Sequence, residues 1–199
     1  MQHRRRRVVP IATLAVLAGV VAAVALGAAA GKPVVVTEST PDAAPNAPDL
    51  VRAELQRSAD GRLRAALTFA KSVTTKSLVA KSGPPGSVCM RIYTQATPGV
   101  IPPDFLVCAT PDSKGKSLRG AVMAEQINAL PKKVASAIVT RSSQRSVVLR
   151  FSQSSVGTPP QIRFAGEATR AGCTRTSCVD TLPDAPGTAK LLVRPEAPA

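Results

Sequence analysis

Apolar and polar residues exchange places at every step in several short runs of this chain, and that rhythm constrains its fold more than anything else. Leu63, Ala65, Leu67 and Phe69 alternate with Arg64, Ala66 and Thr68, and Val88, Met90 and Ile92 alternate with Cys89, Arg91 and Tyr93. Val147, Leu149 and Phe151 repeat the pattern against Val148, Arg150 and Ser152, and Ile162 and Phe164 bracket Arg163. Successive side chains of a strand point to opposite faces, so each run reads as a strand with one face buried and one wet, as in antiparallel sheets. Ala59-Asp60-Gly61 between Leu50–Gln56 and Arg62–Phe69 is the signal of a hairpin turn. Arg141–Arg145 joins Val134–Thr140 to Ser146–Ser152 in the same way. Helical pattern is confined to Ala121–Leu130, where a short helix ended by Pro131 is expected. About eight short strands with Gly and Pro between them, and no βαβ spacing, predict a mainly β fold, an antiparallel β-sandwich or jelly-roll-like domain.

The first thirty residues belong to a different physical world. Arg4-Arg5-Arg6-Arg7 runs straight into an uncharged apolar stretch from Val8 to Ala30. As a helix, those residues at about 1.5 Å rise span roughly 35 Å, enough for a hydrocarbon core of about 30 Å. The arginines resist translocation and stay in the cytoplasm, so an N-terminal hydrophobic helix over residues 1–31 is expected to export the rest. It acts either as a signal peptide cleaved after Ala28-Ala29-Ala30 or as a retained anchor crossing the membrane with residues 8–30. The expected location is extracytoplasmic in both cases, membrane-anchored or secreted.

Residues 32–48 carry Pro33, Pro41, Pro45 and Pro48 among small polar residues and read as a Pro-rich linker. The strand-rich domain is expected over 49–187, with residues 188–199 forming a last strand or a tail. Four cysteines, all in the exported part, read as two disulfides in an oxidising compartment. Cys89 and Cys108 fall in consecutive expected strands whose connection folds back, which favours Cys89–Cys108 and Cys173–Cys178. A four-thiolate zinc site is the alternative, but the spacings lack its repeated short knuckles.

The chain has a net charge of +14, and residues 49–187 alone hold 19 Lys plus Arg against 9 Asp plus Glu. A positive field outside a cell draws anionic partners, and several arginines stand on the outward side of their strands. Arg62, Arg64, Arg91, Arg150 and Arg163 are therefore the candidate anion-binding residues, and the partner an anionic cell-wall polymer, a lipid head group or an envelope protein. Ordinary solvation of the surface is the plainer alternative. With no Trp and a single Tyr, the chain lacks the aromatic platforms on which sugars or bases stack, so no specific nucleic acid is expected. The only histidine is His3, ahead of the export segment, which removes His-based triads and His metal sites from the domain. Asp180 and Asp184 near Cys178 are the one pair of acids weighed for calcium, and turn formation is the simpler role. No catalytic, cofactor or metal residue is assigned.

The hairpin from Val51-Arg52-Ala53-Glu54-Leu55-Gln56 through Ser58-Ala59-Asp60-Gly61-Arg62-Leu63 and the closing stretch from Gly166-Glu167-Ala168 to Pro183-Asp184 resemble secreted bacterial β-sandwich modules of the carbohydrate-binding or DOMON-like type. The resemblance implies a jelly-roll-like binding module rather than an enzyme. The expectation is thus an exported, non-enzymatic envelope protein with a basic face for an anionic partner. The alternatives are a structural protein that pairs with another envelope protein and, more distantly, a hydrolase with a carboxylate site.

Overall fold

In the computed structural model, the residues described are 31–39, 42–43, 47–94, 103–126, 128–173, 178–184 and 187–193. Residues 1–30 of the expected N-terminal helix, and residues 40–41 and 44–46 of the Pro-rich segment, lie outside them. Among the described residues no helix is long and apolar enough to cross a membrane. The chain is mainly β, an antiparallel arrangement whose described residues include the short 3₁₀ turns Lys76–Leu78 and Gln153–Val156.

The strands are β1 Val34–Thr37, β2 Leu50–Arg57, β3 Arg62–Phe69, β4 Ser87–Tyr93, β5 Phe105–Pro111 and β6 Leu118–Gln126. They continue as β7 Ala129–Thr140, β8 Ser146–Ser152, β9 Gln161–Thr169, β10 Val179–Leu182 and β11 Ala189–Leu192. Their order across the sheet is β1-β2-β3-β8-β7-β6-β5-β4-β9-β10, with β11 also paired to β9. The alternation read from the sequence is the cause. Leu63, Ala65, Leu67 and Phe69 are fully buried, as are Val88, Met90, Ile92, Val147, Leu149, Ile162 and Phe164. Burying each of the larger side chains contributes about 1.5–3 kcal/mol, so a one-residue slip in any of these strands would forfeit several such contributions at once.

The expected β2–β3 hairpin forms around Gly61, whose φ of +76° is left-handed. Ser58 donates its N–H to the Arg62 carbonyl, and Arg62 donates to Asp60 Oδ1 at 3.1 Å. Two expectations are corrected. Ala121–Leu130 is not a helix: Ala121 pairs with Cys108 and Ser136, and the run supplies the end of β6 and the start of β7. Helix propensity there is overridden by ladder partners on both sides. Pro131 does not end a helix either, but sits in the irregularity of the β6–β7 ladder between the pairs Ala124–Lys132 and Gln126–Ala129. Val34–Thr37, counted with the linker over 32–48, forms β1 against β2. Ala189–Leu192 pairs with β9 as a last strand.

β7 is the hinge of the architecture. Ala129–Ala137 pair with β6, whereas Ile138–Thr140 pair with β8, so one strand belongs to both halves of the sheet. The crossing point is Gly120, opposite Ala137, where an added Cβ would come within 2.2 Å of the Ala137 carbonyl oxygen. Only a glycine lets the two backbones approach so closely. Farther along, β2 lies against β9 and β10, and β1 lies near β11. Gly166 of β9 sits under Leu50, Ala53 and Leu67, so the apolar sides of β2, β3 and β9 share one core.

Both cysteine pairs are disulfides, Cys89–Cys108 and Cys173–Cys178. Cys89 and Cys108 stand directly opposite each other across β4 and β5. They cross-link a hairpin on the side that faces away from the core.

Candidate functional site

Strand alternation decides where each arginine points. In β2, β3 and β8 the core takes Leu55, Leu63, Ala65, Leu149 and Phe151, and the intervening positions Arg52, Glu54, Arg62, Arg64 and Arg150 project outward. Register brings them together: Arg64 is directly opposite Arg150, and Arg62 opposite Ser152. Glu54 sits between Arg52 and Arg64 and accepts from both, from Arg52 Nη2 at 2.8 Å and from Arg64 Nη1 at 2.6 Å. Arg62 meets Asp60 only at 4.0 Å. Arg150 is exposed and forms no ion pair among the described residues. Four guanidiniums thus share one face with two carboxylates, leaving a positive surface whose cations are spaced by the sheet itself.

Arg91 and Arg163 lie elsewhere. They alternate with Met90, Ile92, Ile162 and Phe164, so they leave the core on the far side of β4 and β9. Arg91 donates to Glu167 at 2.5 Å, and both side chains are largely covered, 25% and 12% exposed. Burial works against the Arg91 charge, but Glu167, with Tyr93 beside it, more than offsets this and raises its pKa. Glu125 shares this surface, and its pKa is raised by burial and by Glu167, with Arg91 opposing. The Arg163 Nε is buried without a hydrogen-bond partner. Of the five arginines singled out in the sequence, three share one face and two share the other. Arg52 and its carboxylate Glu54 were missed, although both sit at outward positions of a strand beside Arg64.

A third region gathers the opposite charge. Glu38 follows β1, Asp42 and Asp49 lie between β1 and β2, Asp180 is in β10 and Asp184 comes just after it. Asp180 is 6% exposed and accepts the Leu50 N–H at 2.6 Å, which ties β10 to the start of β2. Burial pushes its carboxyl up to about 6; the Leu50 hydrogen bond opposes this, and Asp42, Asp49 and Asp184 add to it. Burial and neighbouring carboxylates likewise raise Glu38, and burial and Asp42 raise Asp49, with Lys71 opposing. Glu38 Oε2 and Asp49 Oδ1 are buried without partners. Carboxylate oxygens of Glu38, Asp42 and Asp184 lie within 4.8 Å of one another and are donors of the kind a hard divalent cation takes. The sequence pointed to Asp180 and Asp184 as the acid pair. The structure adds three partners to them and turns Asp180 toward a backbone N–H instead.

Compared with models of known protein families, with curated proteins and with solved structures, the chain matches none.

Proposed function

We propose that this chain is an exported, non-enzymatic envelope protein with a β-sandwich domain, and that the face formed by β2, β3 and β8 binds an anionic cell-wall polymer. One observation carries the reading: Arg52, Arg62, Arg64 and Arg150 stand side by side at outward positions of neighbouring strands, with only Glu54 and Asp60 to offset them. A polymer with a phosphate or carboxylate at each repeat meets such a face at several points at once. Many weak, screened contacts then add up where a single exposed ion pair contributes little. The sandwich reading is supported by the packing of β2 and β3 against β9 through Gly166 and by the shared core. Export is supported by the leader and agrees with the two disulfides.

The test is retention of the purified, oxidised chain on isolated cell-wall material and, in parallel, on anionic liposomes, at about 0.05 M and 1 M salt, where the Debye length falls from over 10 Å to about 3 Å. Retention on wall material that salt releases, and that Arg62→Glu with Arg150→Glu lowers more than tenfold, is the expected result. Retention on liposomes alone would replace the polymer with a lipid head group. Salt-insensitive retention would overturn the electrostatic mechanism.

A further inference from the structure

β7 leaves an open edge. Its residues Ala129–Ala137 pair with β6 on one side, and among the described residues no strand pairs with them on the other, because β8 joins only at Ile138–Thr140. The other edges are shorter: β1, β10 and β11 have four residues each, and β1 lies near β11. Within β7 only Ala137 is buried, while Leu130 is 88% and Val134 47% exposed. An uncovered run of backbone N–H and C=O groups is a template for a further strand, and exposed apolar side chains beside it supply contacts for that strand's own side chains.

The charges on this edge select the occupant. Lys132 and Lys133 are exposed, neither takes part in an ion pair among the described residues, and β7 carries no acid. A second copy of the chain pairing edge to edge would bring four ammonium groups together, so self-pairing is disfavoured. Pro131 has no N–H and stands at one irregularity of the ladder, and a second register shift leaves Val134 unpaired between Lys133 and Ala135, so the open edge is a bulged one made of Lys132–Lys133 and Ala135–Ala137. A polysaccharide or lipid would use the lysines but neither the backbone edge nor Leu130 and Val134. An extended polypeptide that alternates acidic and apolar residues uses all three.

We propose that the open edge of β7 at Lys132–Ala137 receives an extended acidic segment of another protein as an added strand, with its carboxylates on the face of Lys133 and its apolar side chains on the opposite face, against Val134. This edge is separate from the arginine face of β2, β3 and β8.

The probe is a fluorescein-labelled hexapeptide of alternating glutamate and valine, titrated with the full chain and read by fluorescence anisotropy. Three companions accompany it: the same peptide N-methylated on alternate backbone nitrogens, a lysine–valine peptide, and the chain carrying Lys132→Glu with Lys133→Glu. The acidic peptide should bind. N-methylation and the double substitution should each weaken it more than tenfold, and the substituted chain should prefer the lysine–valine peptide. Backbone amide shifts in NMR should be largest at Lys132–Ala137. No binding, equal binding of the N-methylated peptide, or an equal loss caused by Arg62→Glu with Arg150→Glu would each overturn the proposal. The last of these results would assign the peptide to the arginine face.

Discussion

The arginine face and the acidic pole both crowd like charges together, yet they do so at very different cost. Arg62 and Arg150 are exposed, and water and salt screen their repulsion. At the pole, Asp180 is buried with Glu38, Asp42, Asp49 and Asp184 around it, and its carboxyl holds a proton to about pH 6. Burial, more than charge count, decides whether like charges are tolerated. In a chain of net charge +14, the strained electrostatics are negative.

Four experiments probe how the two regions differ. The largest effect belongs to Asp180→Asn, which keeps an oxygen for the Leu50 N–H and removes the charge. The folded-state value of about 6 lies above the ordinary 3.8, so native Asp180 is favourable to folding below about pH 4, and that advantage is lost as pH rises toward 6. A difference of about two pKa units corresponds to about 3 kcal/mol. Asp180→Asn should therefore stabilise the chain by up to that amount at pH 7.5 and by nothing below pH 4, as denaturant titrations at the two pH values will read. Next comes Glu167→Gln, which leaves Arg91 three-quarters covered without its carboxylate and should cost about 2 kcal/mol. On the arginine face, Glu54→Gln removes the carboxylate from Arg64, which at 28% exposure is nearly as covered as Arg91, and from the more open Arg52, so it should cost a similar amount, about 2 kcal/mol, while retention on anionic polymer rises. If Glu54→Gln and Glu167→Gln differ widely in cost, burial is not what sets the strength of these two similarly covered pairs. The fourth experiment changes no stability: carboxyl NMR titration should place Asp180 near 6 and the exposed Asp112 near 2. Asp112 is held low first by the Ser117 hydroxyl and then by backbone N–H groups of its turn.

Strands with strict alternation were legible because one core face dictates both their period and their register. β3, β4, β8 and β9 are such strands, and the arginines assigned to their outward sides follow directly. Ala121–Leu130 was misread because alanine, methionine and glutamate favour helix locally, while the partners that make a strand, Cys108 and Ser136, are distant in sequence. β1 was hidden among prolines, although Val34-Val35-Val36-Thr37 is an unbroken run of β-branched residues. The acidic pole was half visible. Asp180 and Asp184 are close in sequence, but Glu38 and Asp42 reach them only because β1 and β2 are folded against the β9–β10 end of the sheet. No local pattern records that closure.

Because β7 hydrogen-bonds with β6 along one stretch and with β8 along the next, no line drawn between neighbouring strands divides the molecule into two self-contained ladders. Loosening the β2–β3–β8 half pulls on the strand that anchors the β4–β5–β6 half. The chain is thereby built to melt in one cooperative step, with the slowest-exchanging amides of both halves reporting the same opening free energy.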